Sequence, residues 1–310
     1  MMQVTLLGCG GTMPLPGRAL SSAAVTVAGR NILFDCGEGT QTACRRHHIS
    51  LYKTDVICLT HYHGDHIFGL PGFLQSMGSA GRTEPVTVVG PRGLQPVLDA
   101  MLSLCGGLPF AVRLCEAPQA LPLPGGAVLR SFAMEHRVPC IGYRVELSRA
   151  GRFLPERAAA LGVPQRLWKT LQNGTPVTLP DGATVQPQQV LGPARPGLAV
   201  AFCTDTRPCG GLLAAAQNAD LLLCDATYWQ DEQQEKAVEF GHCTFREAAR
   251  AAADAGAKRL WLTHYSAALE QPEQWLPAAQ AVYPAAQAGQ DGLQLTLAFA
   301  PPAEEQNERS

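Results

Sequence analysis

No uninterrupted apolar stretch of the chain approaches the roughly 20 residues that a membrane-spanning helix needs, so no membrane partner is expected. Charge is equally scarce. Only 16% of residues are charged, and 24 Lys and Arg against 26 Asp and Glu leave a net charge of −2, so a polyanion would have to find a local basic patch. The 11 cysteines are odd in number, scattered singly, and include no Cys-x-x-Cys pair. That pattern argues against a disulfide framework and a thiolate zinc knuckle, and it fits a reducing, cytoplasmic setting. The opening residues, MMQVTLLGCGG, have neither a basic n-region nor a long apolar h-region, so no secretory signal is expected. What is abundant is apolar surface: 46% of the 310 residues are hydrophobic, enough for a sizeable core and against global disorder. One large domain over residues 1–300 carrying an insertion is the expectation, with 301–310 as a disordered polar tail.

Short apolar runs separated by Gly, Pro and Ser predict strands at 4–7, 24–27 and 32–34, and a short helix begins after Gly39. Gly8-Cys9-Gly10-Gly11 lacks the Lys-Ser/Thr of a P-loop and the G-x-G-x-x-G of a dinucleotide site, and reads as tight-turn glycines. Residues 55–60 form a nearly continuous apolar strand, the pattern of a strand covered on both faces, and run straight into His61. Further strands at 86–89, 128–134, 141–147, 198–203, 221–224 and 260–263 are interspersed with helical patterns at 93–104, 212–218, 244–255 and 274–282. Together they predict an α/β (α+β) protein whose sheets are covered by helices.

Residues 149–197 break that rhythm. They are rich in Pro and Gly, with two short helical patterns at 156–161 and 165–171. The stretch from Cys140 to Pro196 carries a local charge of +4 against −6 for the rest of the chain. Its basic residues include Arg149, Arg152, Arg157, Arg166 and Lys169. An excursion of this length inside a compact domain is usually functional or disordered. It reads either as a solvated loop or as an arm that grips a polyanion.

His61-Tyr62-His63-Gly64-Asp65-His66 places three of the eight histidines and a carboxylate within six residues, directly after a buried strand. Imidazole and carboxylate form the ligand set of zinc, manganese or iron. On extended chain, positions i and i+2 lie on one side, so His61 and His63 can converge on one ion. Gly64, tolerating φ > 0, is expected to turn the backbone so that Asp65 and His66 face a second point. His136, Asp205 and His264 each end another strand-like run, as His61 does, and are the candidates to complete the sites.

Phe34-Asp35-Cys36-Gly37-Glu38-Gly39-Thr40-Gln41 and Leu59-Thr60-His61-Tyr62-His63-Gly64-Asp65-His66-Ile67-Phe68-Gly69-Leu70-Pro71-Gly72 resemble the metallo-β-lactamase superfamily, and more narrowly its ribonuclease Z branch. The likeness continues through Glu135-His136-Arg137-Val138-Pro139-Cys140-Ile141-Gly142-Tyr143, Asp205-Thr206 and Gly241-His242-Cys243-Thr244 to Leu262-Thr263-His264-Tyr265-Ser266. The resemblance implies a four-layer αβ/βα sandwich with a protruding arm insertion and two Zn(2+) per subunit, Mn(2+) or Fe(2+) being the alternatives. His61, His63 and His136 would hold one ion, Asp65, His66 and His264 the other, and Asp205 would bridge them. Asp65 would also orient the attacking water. His242 would be a non-ligand that serves as acid or phosphate contact, Asp225 would support it, and Arg246, one helical turn on, would reach phosphate.

The implied activity is a zinc-dependent endoribonuclease, a hydrolase that removes the 3′ trailer of precursor tRNA by two-metal-activated hydroxide attack. The implied assembly is a homodimer in which the arm of one subunit presents tRNA to the other. Gly162-Val163-Pro164-Gln165-Arg166-Leu167 stands where that family's arm usually has a Gly-Pro-Pro-Gly-Pro-like turn. Two other functions are compatible with the same residues: a small-molecule phosphodiesterase or other hydrolase of the superfamily, since fold and metals do not fix substrate, and a metal-stabilised RNA-binding protein without turnover.

Overall fold

The computed structural model describes residues 1–300; the tail expected at 301–310 lies outside the described residues. Sixteen strands are present among the described residues. In chain order they are β1 (Met2–Gly8), β2 (Ser22–Val27), β3 (Arg30–Phe34), β4 (Thr54–Cys58), β5 (Val86–Gly90), β6 (Val112–Glu116), β7 (Leu121–Pro122) and β8 (Ala127–Met134). Then follow β9 (Cys140–Arg149), β10 (Val177–Thr178), β11 (Thr184–Val185), β12 (Arg195–Cys203), β13 (Leu221–Asp225), β14 (Leu260–Thr263), β15 (Ala286–Ala288) and β16 (Gln294–Leu297).

The first seven-stranded sheet has the order β16-β1-β2-β3-β4-β5-β6 and the second β15-β14-β13-β12-β9-β8-β7. In the first, β1 to β3 pair antiparallel and β3 to β6 parallel. In the second, β12 to β15 are parallel. The central strands read as unbroken apolar runs because both of their faces are covered: β13, Leu-Leu-Leu-Cys-Asp, is buried at every position.

Between the sheets, Phe34 of β3 stacks on Phe202 of β12 at 5.3 Å and meets Tyr143 of β9 at 5.8 Å. The Tyr143 hydroxyl donates to the Leu59 carbonyl at 2.6 Å, so the one polar atom of this buried ring is satisfied. On the outer face of the first sheet, the helices Leu70–Ser79 and Leu94–Ser103 bury Phe73, Leu74, Met77, Leu94, Leu98 and Met101. The helices Gly210–Ala216, Phe245–Asp254 and Leu276–Gln280 cover the second sheet. Helix, sheet, sheet, helix is the αβ/βα sandwich.

Residues 147–198, together with 299–300, cluster as a second compact unit, distinct from the unit of residues 1–146 and 199–298. Its interior is small but complete: Ala158, Val163, Leu171, Val177, Leu179, Val185 and Val190 are buried, with Phe153, Leu167 and Trp168 packed against them. Two helices, Pro155–Ala160 and Gln165–Gln172, form where helical spacing occurs in the sequence. A third, Pro187–Val190, and the β10–β11 hairpin were not expected there. On Gln165–Gln172, Leu167, Trp168 and Leu171 turn inward while Arg166 and Lys169 are exposed, as a 3.6-residue period requires.

Two local expectations need correction. The helical pattern at 274–282 resolves into a 3₁₀ turn, Pro272–Gln274, and a separate short helix, Leu276–Gln280, because Pro277 has no amide hydrogen to continue the ladder and suits a helix's first turn. Gly64 does not adopt a positive φ; it opens the short helix Gly64–Ile67, which carries Asp65 and His66 and leaves the His66 ring 4.2 Å from that of His61.

Candidate metal centre

The strand ends of both sheets deliver the site. His61 and His63 follow β4, His136 lies two residues beyond β8, Asp205 two beyond β12, and His264 directly after β14. Asp205 (φ 54) and His264 (φ 62) sit in the left-handed region, as does Asp35 (φ 53). Non-glycine residues there cost of order 1–3 kcal/mol each and persist where the surroundings over-determine them. Here the strained backbone aims each side chain inward immediately after its strand.

Ligand-type atoms of His61, His63, His136 and Asp205 lie within 4.8 Å of one another, and so do those of Asp65, His66 and His264. The two groups meet at Asp205. Its Oδ1 is 3.8 Å from His61 Nε2, and its Oδ2 is 3.2 Å from His66 Nε2 and 3.3 Å from His264 Nε2. Asp65 Oδ2 stands 3.5 Å from His66 Nε2 and 3.4 Å from His264 Nε2, and accepts the Thr12 amide at 2.6 Å. His61 Nε2 faces His63 Nδ1 at 2.8 Å. Asp205, His242 and His264 also fall within the same 4.8 Å spacing, so His242 is adjacent to the centre.

The far nitrogens are held by a surrounding layer of partners. Thr60 Oγ1 contacts His61 Nδ1 at 3.1 Å, and Asp35 takes His66 Nδ1 at 2.7 Å. Thr227 Oγ1 meets His264 Nδ1 at 3.0 Å, and the Gly241 carbonyl takes His136 Nδ1 at 2.9 Å. This leaves the inward nitrogen of each ring for an ion, the arrangement by which outer partners fix metal-binding histidines. Seven buried side-chain atoms among the described residues have no hydrogen-bond partner, and two of them, His136 Nε2 and Asp205 Oδ2, lie in the cluster. Buried polar atoms are normally satisfied, and a divalent cation held by the cluster would satisfy these two. The donor set and its orphaned atoms therefore fit bound metal.

Two glycines permit this crowding. A Cβ at Gly11 would lie 2.5 Å from the His264 ring, so the Gly-Cys-Gly-Gly run is a close approach to the site rather than the ordinary turn expected of it. Gly241 has φ +76, and a Cβ there would lie 2.8 Å from His136 Nδ1.

Burial, followed by the neighbouring His66, holds His61 well below the usual histidine range, and burial likewise lowers His63 and His136. These rings are neutral and keep a lone pair for metal. Burial works against ionisation of Asp65 and Asp205, but the surrounding histidines outweigh it and keep both carboxyls ionised below the ordinary range. His66 is raised, burial being overcome by Asp205 and Asp35.

His242 Nδ1 lies 2.8 Å from Asp225 Oδ2. Burial opposes protonation of His242, yet Asp225 and then Asp205 push the imidazole up to about 9. Asp225 is fully buried and accepts three further bonds, from the Thr206 amide at 3.0 Å, the Thr227 amide at 2.9 Å and Thr227 Oγ1 at 2.8 Å. Thr244 caps the helix Phe245–Asp254 through a capping box with Glu247, which fixes where His242 sits two residues earlier. Arg207 pairs with Glu247 and donates to the His242 carbonyl at 2.5 Å.

Arg246 does not join this group: its guanidinium pairs with Asp231 at 3.0 Å, with both side chains about half exposed or more. Of the cations expected on the arm, Arg152, Arg157, Arg166 and Lys169 are exposed, whereas Arg149 donates to the Ala300 carbonyl at 2.6 Å and lies over the Phe299 ring. Asp35, Thr227 and Arg207 were missed as site residues. Asp35 stands in a quoted motif, but nothing in its local sequence separates it from a turn aspartate.

Known proteins align with this arrangement. The profile described as "Metallo-beta-lactamase superfamily" matches residues 16–104, and that described as "Beta-lactamase superfamily domain" matches residues 157–265. The ribonuclease Z of Lachnoclostridium phytofermentans is 45% identical over 96% of this chain and 99% of its own length. That of Agathobacter rectalis is 42% identical over the same shares. The crystal structure of the short form of human tRNase Z superposes with a TM-score of 0.66 at 25% identity, covering 96% of this chain and all of that one. With near-complete mutual coverage at these identities, the chain belongs to the ribonuclease Z family of the metallo-β-lactamase superfamily.

Proposed function

We propose that the chain is a metal-dependent endoribonuclease that removes the 3′ trailer of precursor tRNA and leaves a 3′-hydroxyl on the tRNA. The observation that carries this reading is the conjunction of the seven-residue His/Asp cluster with full-length likeness to bacterial ribonuclease Z. In the proposed assignment His61, His63 and His136 hold one ion, Asp65, His66 and His264 a second, and Asp205 stands between them. Divalent ions there would supply Lewis-acid charge for an in-line displacement and lower the pKa of the attacking water.

The chain's own groups do the rest. Asp65, anchored by the Thr12 amide, orients the attacking water and takes its proton. Asp225 holds His242 Nδ1, and in this assignment His242 is not a ligand but presents Nε2 to protonate the departing 3′ oxygen. Asp225 positions that ring and stabilises its charged form. Zinc as the ion, two per subunit, a homodimer and a cytoplasmic setting complete the proposal on family grounds.

The unit of residues 147–198 is proposed as the tRNA-binding arm, on the strength of its exposed cations Arg152, Arg157, Arg166 and Lys169. Such contacts bind phosphate and shape rather than bases, and they release counterions. Reversing Arg157, Arg166 and Lys169 to Glu is expected to weaken precursor tRNA binding and flatten its salt dependence. Turnover of a small chromogenic phosphodiester should survive. Unchanged tRNA binding with an unchanged salt slope would remove the arm from the substrate path.

A further inference from the structure

Two cavities open on the centre, and they share His63 and His242. The first, of about 310 Å³, is lined by Asp65, Asp205 and His264 and holds the reacting groups. The second, of about 290 Å³, is lined by His63, His136, Arg137, Val138, Phe240 and His242. Nothing in the reaction described above uses it.

Its walls are two segments pinned together. His136 Nδ1 is bound by the Gly241 carbonyl at 2.9 Å, and the left-handed Gly241 brings its backbone against both His136 and the Arg137 amide. Arg137 and Phe240 are therefore held directly beside a candidate ligand and the candidate acid. The Arg137 guanidinium lies over the Phe240 ring at 5.5 Å, which limits its rotamers before any ligand arrives. Arg137 is exposed, and among the described residues no carboxylate pairs with it. An oriented, unneutralised guanidinium beside an aromatic face suits a nucleotide: the planar fork takes phosphate oxygens and the ring takes the base or sugar.

We propose that the Arg137–Phe240 cavity is a nucleotide subsite, in which Arg137 binds the phosphate next to the scissile one on the RNA strand and so positions the scissile bond between His63 and His242. The inference rests on the endoribonuclease reading and names a specificity element for that reaction. Arg137 is a positioning residue, since it meets neither the scissile phosphate nor the attacking water.

The test is a cycle of protein and substrate changes on the metal-loaded enzyme. Precursor tRNAs are made with a neutral methylphosphonate at the phosphate immediately 5′ or immediately 3′ of the cleavage site. One of these substitutions should lower kcat/KM for the wild type by about 10- to 100-fold, the range expected for losing a charged hydrogen bond. Arg137→Ala should lose a similar factor on the natural RNA and become insensitive to that same substitution. Arg137→Lys should recover part of the loss. The loss on RNA should exceed any loss on bis(p-nitrophenyl) phosphate, which has no neighbouring phosphate, by at least about tenfold. If both methylphosphonate penalties persist in full in Arg137→Ala, or if the diester loss equals the RNA loss, the subsite is refuted. A wild type that cleaves no precursor at all refutes the endoribonuclease reading instead.

Discussion

Replacing Asp225 by Asn tests the link between fold and chemistry at one buried atom pair. Asp225 Oδ1 accepts the Thr227 amide and hydroxyl, and Oδ2 accepts the Thr206 amide and faces His242 Nδ1. Whichever way an asparagine amide points, its NH₂ meets a backbone N–H that it cannot accept. The buried unmatched donor costs about 1–3 kcal/mol, and loss of the charge-assisted bond to His242 about 1.5–3 more. The sum is a large part of a typical total stability of roughly 5–15 kcal/mol.

The pH dependence has a defined sign. His242 is raised to about 9 in the folded chain, against roughly 6.5 when unfolded. The folded state thus binds more protons between those values, so this stabilisation is complete below about pH 6.5 and is lost as pH rises through about 9. Its full size is roughly 3 kcal/mol. Asp225→Asn removes the strongest cause of the shift, so the variant's deficit should be largest in acid and shrink towards alkaline pH. Urea unfolding of the metal-free variant and wild type across that range, with an NMR titration of His242, measures both. A deficit below about 1 kcal/mol that does not change with pH would refute the reasoning.

Arg207→Met should leave Glu247 without its cation and release the His242 carbonyl; a stability loss of about 3–5 kcal/mol in urea unfolding is expected for breaking a largely buried pair, with slower cleavage. Asp35→Asn keeps a residue type that tolerates φ 53 but withdraws a carboxylate oxygen from His66 Nδ1. Metal affinity by chelator competition should fall about 10- to 100-fold, while an unchanged affinity would mean that Asp35 supports the fold only.

The strands that carry the centre were legible because buried parallel strands are uniformly apolar and each ends at a ligand-type residue: 55–60 before His61, 198–203 before Asp205 and 260–263 before His264. The edge strands were not. β15 and β16 are three and four residues long, and β16, Gln-Leu-Thr-Leu, becomes a strand only because β1 is there to pair with it. The helix Leu70–Ser79 was hidden by its own Pro71 and Gly72, since proline is tolerated in a first turn. Arg246 has helical spacing from His242, but that spacing takes no account of Asp231. Asp35 reaches His66 and Thr227 reaches His264 across 31 and 37 residues of chain, which no local pattern encodes. Cys203, Cys224 and Cys243, read as packing residues, are fully buried, and burial raises the Cys203 and Cys243 thiols well above their ordinary range.

The most direct test incubates metal-loaded protein with a precursor tRNA bearing a short 3′ trailer and maps the product ends, with His63→Ala and metal chelation alongside. The account predicts a single cut just after the discriminator base that leaves a 3′-hydroxyl, abolished in both controls. Intact precursor together with brisk hydrolysis of bis(p-nitrophenyl) phosphate would contradict the tRNA assignment, and cleavage that survives both controls would contradict the metal centre itself.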